Sequence, residues 1–138
     1  MIILVCVDDA GGMLFNHRRQ SRDRVVQNDM LELAAGSRLW MNSYSVGQFP
    51  EDAVPEIRVS DDFLEEARAG EYCFVEDADL SACRVRMEQV ILYRWNRRYP
   101  ADVYLDPTLL EGFVLTETSE FPGFSHEKIT RECWGLQK

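Results

Sequence analysis

The sequence is short of lysine and histidine, has no paired cysteines and holds no long hydrophobic run, and each shortage removes a class of protein. Lys128 and Lys138 are the only lysines, and acids outnumber bases to give a net charge of -9 and a pI near 4.7. The mean field therefore repels polyanions, so nucleic acid and anionic membrane are not default partners. Cys6, Cys73, Cys83 and Cys133 are scattered without a C-x-x-C pair, and His17 and His126 stand alone. That spacing supports neither a zinc site nor a disulfide framework and predicts free thiols in a reducing cytoplasm. The opening apolar run, "IILVCV", is six residues long, has no basic region before it and meets Asp8 and Asp9 at its end. It predicts a buried strand rather than a signal peptide or a membrane span.

What is present is ordinary globular material in one domain spanning 1–138. A chain of this length buries about two thirds of its unfolded surface and needs no metal or crosslink to fold. After the first strand, Val26, Met30, Leu33 and Ala34 recur at helical spacing within residues 21–35. Ser21 or Asp23 can cap that helix, and Gly36 suits the left-handed position beyond it. "SRLWMNSYS" reads as a buried strand running into a polar turn, and "QFPEDAVP" as a loop punctuated by Pro50 and Pro55. Strands follow at "EIRVS", "EYCFVED", "QVILYRW", "ADVYLD" and "GFVLTETSEF", with a short helix at "DDFLEEARAG" and a terminal antiparallel strand at "HEKITRECW". "ADLSACRVRME" is helical or irregular, and "FPGF" is a hairpin loop. This order predicts an α/β fold: a mixed, mostly parallel sheet flanked by helices and closed by a C-terminal antiparallel hairpin.

One segment needs its own explanation. "MLFNHRRQSRD", residues 13–23, places three arginines, an asparagine, a serine and an aspartate among apolar neighbours. Arginine presents a planar fork that pairs with carboxylate or phosphate. Two readings stand: a small anion site, or a set of arginines neutralised by acids elsewhere in the chain. A second group, "RWNRRYP", interleaves Trp95 and Tyr99 with arginines, and a strand end followed by a solvated loop accounts for it.

The pieces, in this order, resemble the dihydrofolate reductase fold. "IILVCVDDAGGM" is similar to that family's first strand and glycine-containing loop. "GSRLWMNSYSVGQF" is similar to its G-K-x-V-I-M-G-R-x-T-x-E-S-I segment, with Met41 on the methionine and Ser45 on the threonine. "EYCFVEDADLSACRVRMEQVILYRW" resembles its strand, glycine pair, helix and strand, and "ADVYLD" its G-D-T-x-F-P segment. The opening "CVDD…MLFNHRRQS" also resembles short, poorly characterised bacterial proteins.

The resemblance implies a cleft at the carboxyl ends of the strands, and the departures say what has changed there. Where the family has a glycine pair that lets backbone amides approach the cofactor pyrophosphate, this chain has Glu76 and Asp77; where it has Gly-Arg after the methionine, Asn42 and Ser43 stand. Two carboxylates facing a diphosphate cost several kcal/mol, on the order of the ~4 kcal/mol expected for a like-charge pair at 4 Å near a surface. The expectation is therefore a cleft that binds a small polar or anionic ligand without NADPH. Asp8, Asp9, Asn16, Arg18, Arg19, Ser21, Arg22, Asn42, Ser43, Ser45, Glu76 and Asp77 are its candidate residues. The resemblance also implies a catalytic carboxylate early in the first helix, and Asp23 falls there. It serves as a proton donor in the alternative reading, an NADPH-dependent reductase of a pterin-like substrate, or as the helix cap alone. A non-catalytic protein-interaction module is the third reading, and the oligomeric state is left open.

Overall fold

The structure, a computed structural model, describes residues 1–53 and 56–136. Its centre is β1 (Ile2–Val7), whose alternate side chains enter opposite apolar clusters: Ile3, Val5 and Val7 on one face, Ile2 and Leu4 on the other. A strand buried on both faces needs no polar alternation, which is why "IILVCV" is continuous.

Around it runs a seven-stranded sheet in the order β5-β4-β6-β1-β7-β10-β9. Its strands are β4 (Arg38–Met41), β5 (Glu56–Val59), β6 (Tyr72–Phe74), β7 (Gln89–Arg94), β9 (Phe113–Phe121) and β10 (Ile129–Leu136). Four neighbouring pairs, from β5 to β7, are parallel; β7 with β10 and β10 with β9 are antiparallel. The expected mixed, mostly parallel sheet with a C-terminal antiparallel hairpin is therefore what forms. Because parallel strands require crossovers, their carboxyl ends collect along one edge, and β10 returns the C-terminal hairpin to that same neighbourhood.

Helix α1 (Arg24–Leu33) covers one face through Val26 and Met30. The helix begins three residues later than the apolar spacing alone suggests. Asp23, in extended conformation, accepts from the Val25 amide and sets the boundary, leaving Ser21 outside. Gly36 takes the left-handed conformation past its end.

Two local expectations are corrected. After β4 the chain does not enter a simple polar turn but one turn of helix, α2 (Ser43–Val46), because the Asn42 side chain accepts from the Ser45 amide and caps it. The polar segment after β1 is not an open loop but a hairpin: β2 (Gly12–Phe15) pairs with β3 (Arg18–Arg19), and β2 also pairs with β8 (Val103–Tyr104) in a separate three-stranded sheet. Asn16 and His17, the two residues between the strands, both have positive φ, as a tight hairpin turn requires, and asparagine tolerates it well. A short helix α3 (Phe63–Glu66) and 3-10 turns at Ser81–Arg86 and Pro107–Leu110 complete the layers. Pro55 lies outside the described residues.

Candidate functional site

Two polar clusters form at the carboxyl edge of the sheet, on either side of a small cavity. The first is a fork. Arg19, on β3, donates from Nε to Glu76 Oε2 at 2.9 Å and from Nη2 to Glu76 Oε1 at 3.2 Å. The Tyr44 ring lies under the guanidinium at 4.5 Å, and Gln48 adds a hydrogen bond to Glu76 at 2.9 Å. Glu76 is buried, so the pair behaves as a planar, desolvated clamp between the hairpin and the end of β6. Burial lowers the Arg19 pKa, but the Glu76 carboxylate outweighs it and raises the net value. Asn42 donates to Asp77 at 2.8 Å beside it, while Ser43 turns away to Asp61. Ser45 is fully buried, and its hydroxyl has no hydrogen-bond partner among the described residues.

The second cluster is centred on Asp23. Its carboxylate accepts from the Val25, Phe124 and Ser125 amides at 2.9 Å each, and from His126 Nδ1 at 2.8 Å. Burial pushes the acid's pKa up, but the Phe124 amide, His126 and the remaining donors outweigh it and hold Asp23 well below the usual carboxylate range. The other nitrogen of His126, Nε2, lies 3.0 Å from Ser21 Oγ and 3.0 Å from Tyr99 Oη. Trp95 stacks on the imidazole with ring centres 4.6 Å apart and planes inclined by 21°. Gly123 is required for this closeness: a Cβ there would stand 2.6 Å from Asp23 Oδ2.

Between the clusters lies a cavity of about 20 Å³, room for roughly one water. Cys6, Arg19, Ser21, Asp23, Gln27 and Glu76 are among its walls. Burial pushes the Cys6 thiol up, and the Glu76 and Asp23 carboxylates add to the shift. Outside it, sharing Arg22, Asp23 and Gln27 with the inner cavity, is a more open recess of about 340 Å³ completed by Arg24, Phe124 and Ser125.

Of the residues singled out by sequence, the fold thus brings Arg19, Ser21, Arg22, Asp23 and Glu76 to one cavity, with Asn42 and Asp77 adjoining Glu76 through α2. Asp8 serves the loop instead: buried, it accepts from the Ala10, Gly12 and Tyr99 amides and from Gln20. Burial raises its pKa, but those donors lower it on balance. Asp9, Asn16 and Arg18 are exposed, with Asn16 and Arg18 at the hairpin tip. Sequence reasoning missed Tyr44, Gln48, Trp95, Tyr99 and above all His126, which lies 103 positions from Asp23. No local pattern announces a partner at that distance; only Asp23 carried a signal, as a cap.

No family model matches the chain, and no curated protein matches it. Among solved structures, the chain is similar to a dihydrofolate reductase from Enterococcus faecalis complexed with NADP(H) and RAB-propyl, with a TM-score of 0.70 at 7% identity over 99% of this chain and 96% of that one. The chain has the dihydrofolate reductase fold. At this identity the likeness speaks for the fold alone.

Proposed function

We propose that this protein uses the cleft of a dihydrofolate reductase fold to bind a small anionic molecule, and does so without NADPH. The observation that carries the reading is the outer recess: Arg22 and Arg24 line it beside Asp23, whose carboxylate is taken up by His126 and backbone amides, and neither arginine forms an ion pair among the described residues. Arg24 rests on the Phe124 ring at 4.5 Å, which orients its guanidinium without neutralising it. A phosphate or carboxylate fits two such forks and the Gln27 side chain. Arg19, by contrast, spends its fork on Glu76 and contributes shape rather than free charge. Against a dinucleotide stand Glu76 and Asp77, in the place where the resembling family keeps two glycines.

The alternative reductase reading asks Asp23 to deliver a proton. A carboxyl saturated by five donors, the Ser125 hydroxyl among them, and kept ionised is a poor acid, so the observations favour the anion reading. Calorimetric titrations with inorganic phosphate, succinate and NADPH test it. Saturable binding of phosphate or succinate, lost at least tenfold in the Arg22→Ala/Arg24→Ala double variant and retained in Arg18→Ala, is expected. NADPH binding at micromolar concentration refutes the reading.

A further inference from the structure

We propose that Ser21, His126 and Asp23 form a nucleophilic triad that hydrolyses small acyl esters. The geometry is that of a serine, a base and an orienting acid: Ser21 Oγ to His126 Nε2 is 3.0 Å, and His126 Nδ1 to Asp23 Oδ2 is 2.8 Å. With Nδ1–H donated to the Asp23 carboxylate, Nε2 is left as the acceptor facing the serine hydroxyl. Asp23 is the positioning residue. It holds the tautomer, and as a carboxylate kept ionised by amide donors it stabilises the imidazolium that forms.

Nε2 offers one lone pair to two hydroxyls at 3.0 Å, so Tyr99 Oη competes with Ser21 Oγ for the base. Two further observations separate this arrangement from a merely satisfied buried histidine. The imidazole plane is held from two sides, stacked on Trp95 and met edge-on by Tyr99 with ring centres 6.5 Å apart. Ser21 is only partly buried and forms part of the wall of the inner cavity, which opens beside the outer recess through the shared Arg22 and Gln27. That cavity has the size of the deacylating water rather than of an ester, so a small acyl ester meets Ser21 from the residue's solvent-exposed side.

The chemistry balances with water as the only co-reactant. Ser21 Oγ bonds to the ester carbonyl carbon while its proton passes to Nε2. The bond from that carbon to the alcohol oxygen then breaks, and Nε2 returns the proton to the departing alkoxide. Water attacks the acyl-serine, gives a proton to Nε2, and Ser21 Oγ leaves and recovers it. Gln27 and Arg22, which line the same cavity, are donors available to the transient oxyanion.

The nucleophile does not depend on the anion reading, with which it shares Arg22 and Gln27. The test is treatment of the native protein with methanesulfonyl fluoride, the modified residue located by peptide mass spectrometry, beside release of p-nitrophenol from p-nitrophenyl acetate. Selective sulfonylation of Ser21 is expected, with ester hydrolysis reduced at least tenfold in Ser21→Ala at an unchanged urea midpoint. Tyr99→Phe, which leaves Nε2 to Ser21 alone, should react at least as fast as the native protein. Nitrogen-15 NMR of the His126 ring checks the tautomer the triad needs, a proton on Nδ1 in the native protein and on Nε2 in Asp23→Asn, and a matching fall in the rate of ester hydrolysis in Asp23→Asn is the readout that a structural role would not move. Modification of Ser21 no faster than of Ser125, hydrolysis unaffected by Ser21→Ala, or a native ring protonated on Nε2 alone overturns the proposal. If those results come with intact phosphate binding, the anion site stands and the triad falls.

Discussion

Removing the guanidinium of Arg19 while keeping its aliphatic bulk, as in Arg19→Met, isolates the clamp between the hairpin and β6. The substitution deletes two charge-assisted hydrogen bonds to Glu76, one to the Tyr44 carbonyl at 3.2 Å, and the contact with the Tyr44 ring. What remains is a carboxylate whose side chain is 8% exposed, with Gln48 as its one side-chain donor. Breaking a buried pair by removing one partner costs about 3–5 kcal/mol, because the stranded charge keeps its desolvation penalty. Gln48 and the 24% exposure of the Arg19 side chain place the expected loss at the low end, about 3 kcal/mol. Glu76→Gln leaves the Arg19 guanidinium, 24% exposed, without its carboxylate and should cost less than Arg19→Met, and the double variant should recover part of the loss, with a coupling of about 1–3 kcal/mol. Urea unfolding of the four proteins, analysed with a common m-value, measures the cycle. Single-variant losses below about 0.5 kcal/mol, the scale of an exposed pair, refute the clamp. Phosphate affinity unchanged in Arg19→Met accords with a structural arginine, while its loss returns Arg19 to the ligand.

Gly123→Ala places a methyl group 2.6 Å from Asp23 Oδ2, so either the carboxylate or the 121–126 segment must move. A loss of about 1–3 kcal/mol in denaturant unfolding is expected, together with faster amide exchange at Phe124 and Ser125. Acid stability follows from Asp23 and Asp8, both held below the ordinary carboxylate pKa of about 3.9. For a depressed group the unfolded chain takes up the proton first, so its contribution is full above the unfolded pKa and drains away as pH falls toward the folded one. Stability should be level above about pH 5 and decline steadily below about pH 4, and the decline should be shallower in Asp23→Ala. An equal slope in the variant counts against the assignment.

Much of this protein was legible in one dimension. The unbroken apolar run Ile2–Val7 marks a strand buried on both faces, the spacing of Val26 and Met30 marks the face of α1, and Asp23 followed by that pattern marks its start. These signals are local: side-chain periodicity reports burial, and capping reports the unsatisfied amides of one helical turn. They also sufficed to predict a mostly parallel sheet and its antiparallel end. The hairpin in "FNHRRQ" was less visible, because a two-residue turn of Asn16 and His17 lacks the glycine that usually advertises positive φ.

Which side chains meet is a different kind of information. Arg19 and Glu76 are 57 positions apart, and Asp23 and His126 are 103 apart. Nothing in the neighbourhood of either partner encodes the other. The first encounter is decided by β6 pairing with β1, and the second by β10 pairing with β7, which itself lies beside β1. That pairing sets the loop between β9 and β10 against the start of α1, where its amides and its histidine find a carboxylate. The sequence by itself determined most of the elements, their order, and a helix cap at Ser21 or Asp23. The tertiary structure alone decided that the cap is also a histidine's partner, because sheet order is chosen by the burial of whole faces rather than by any residue pair.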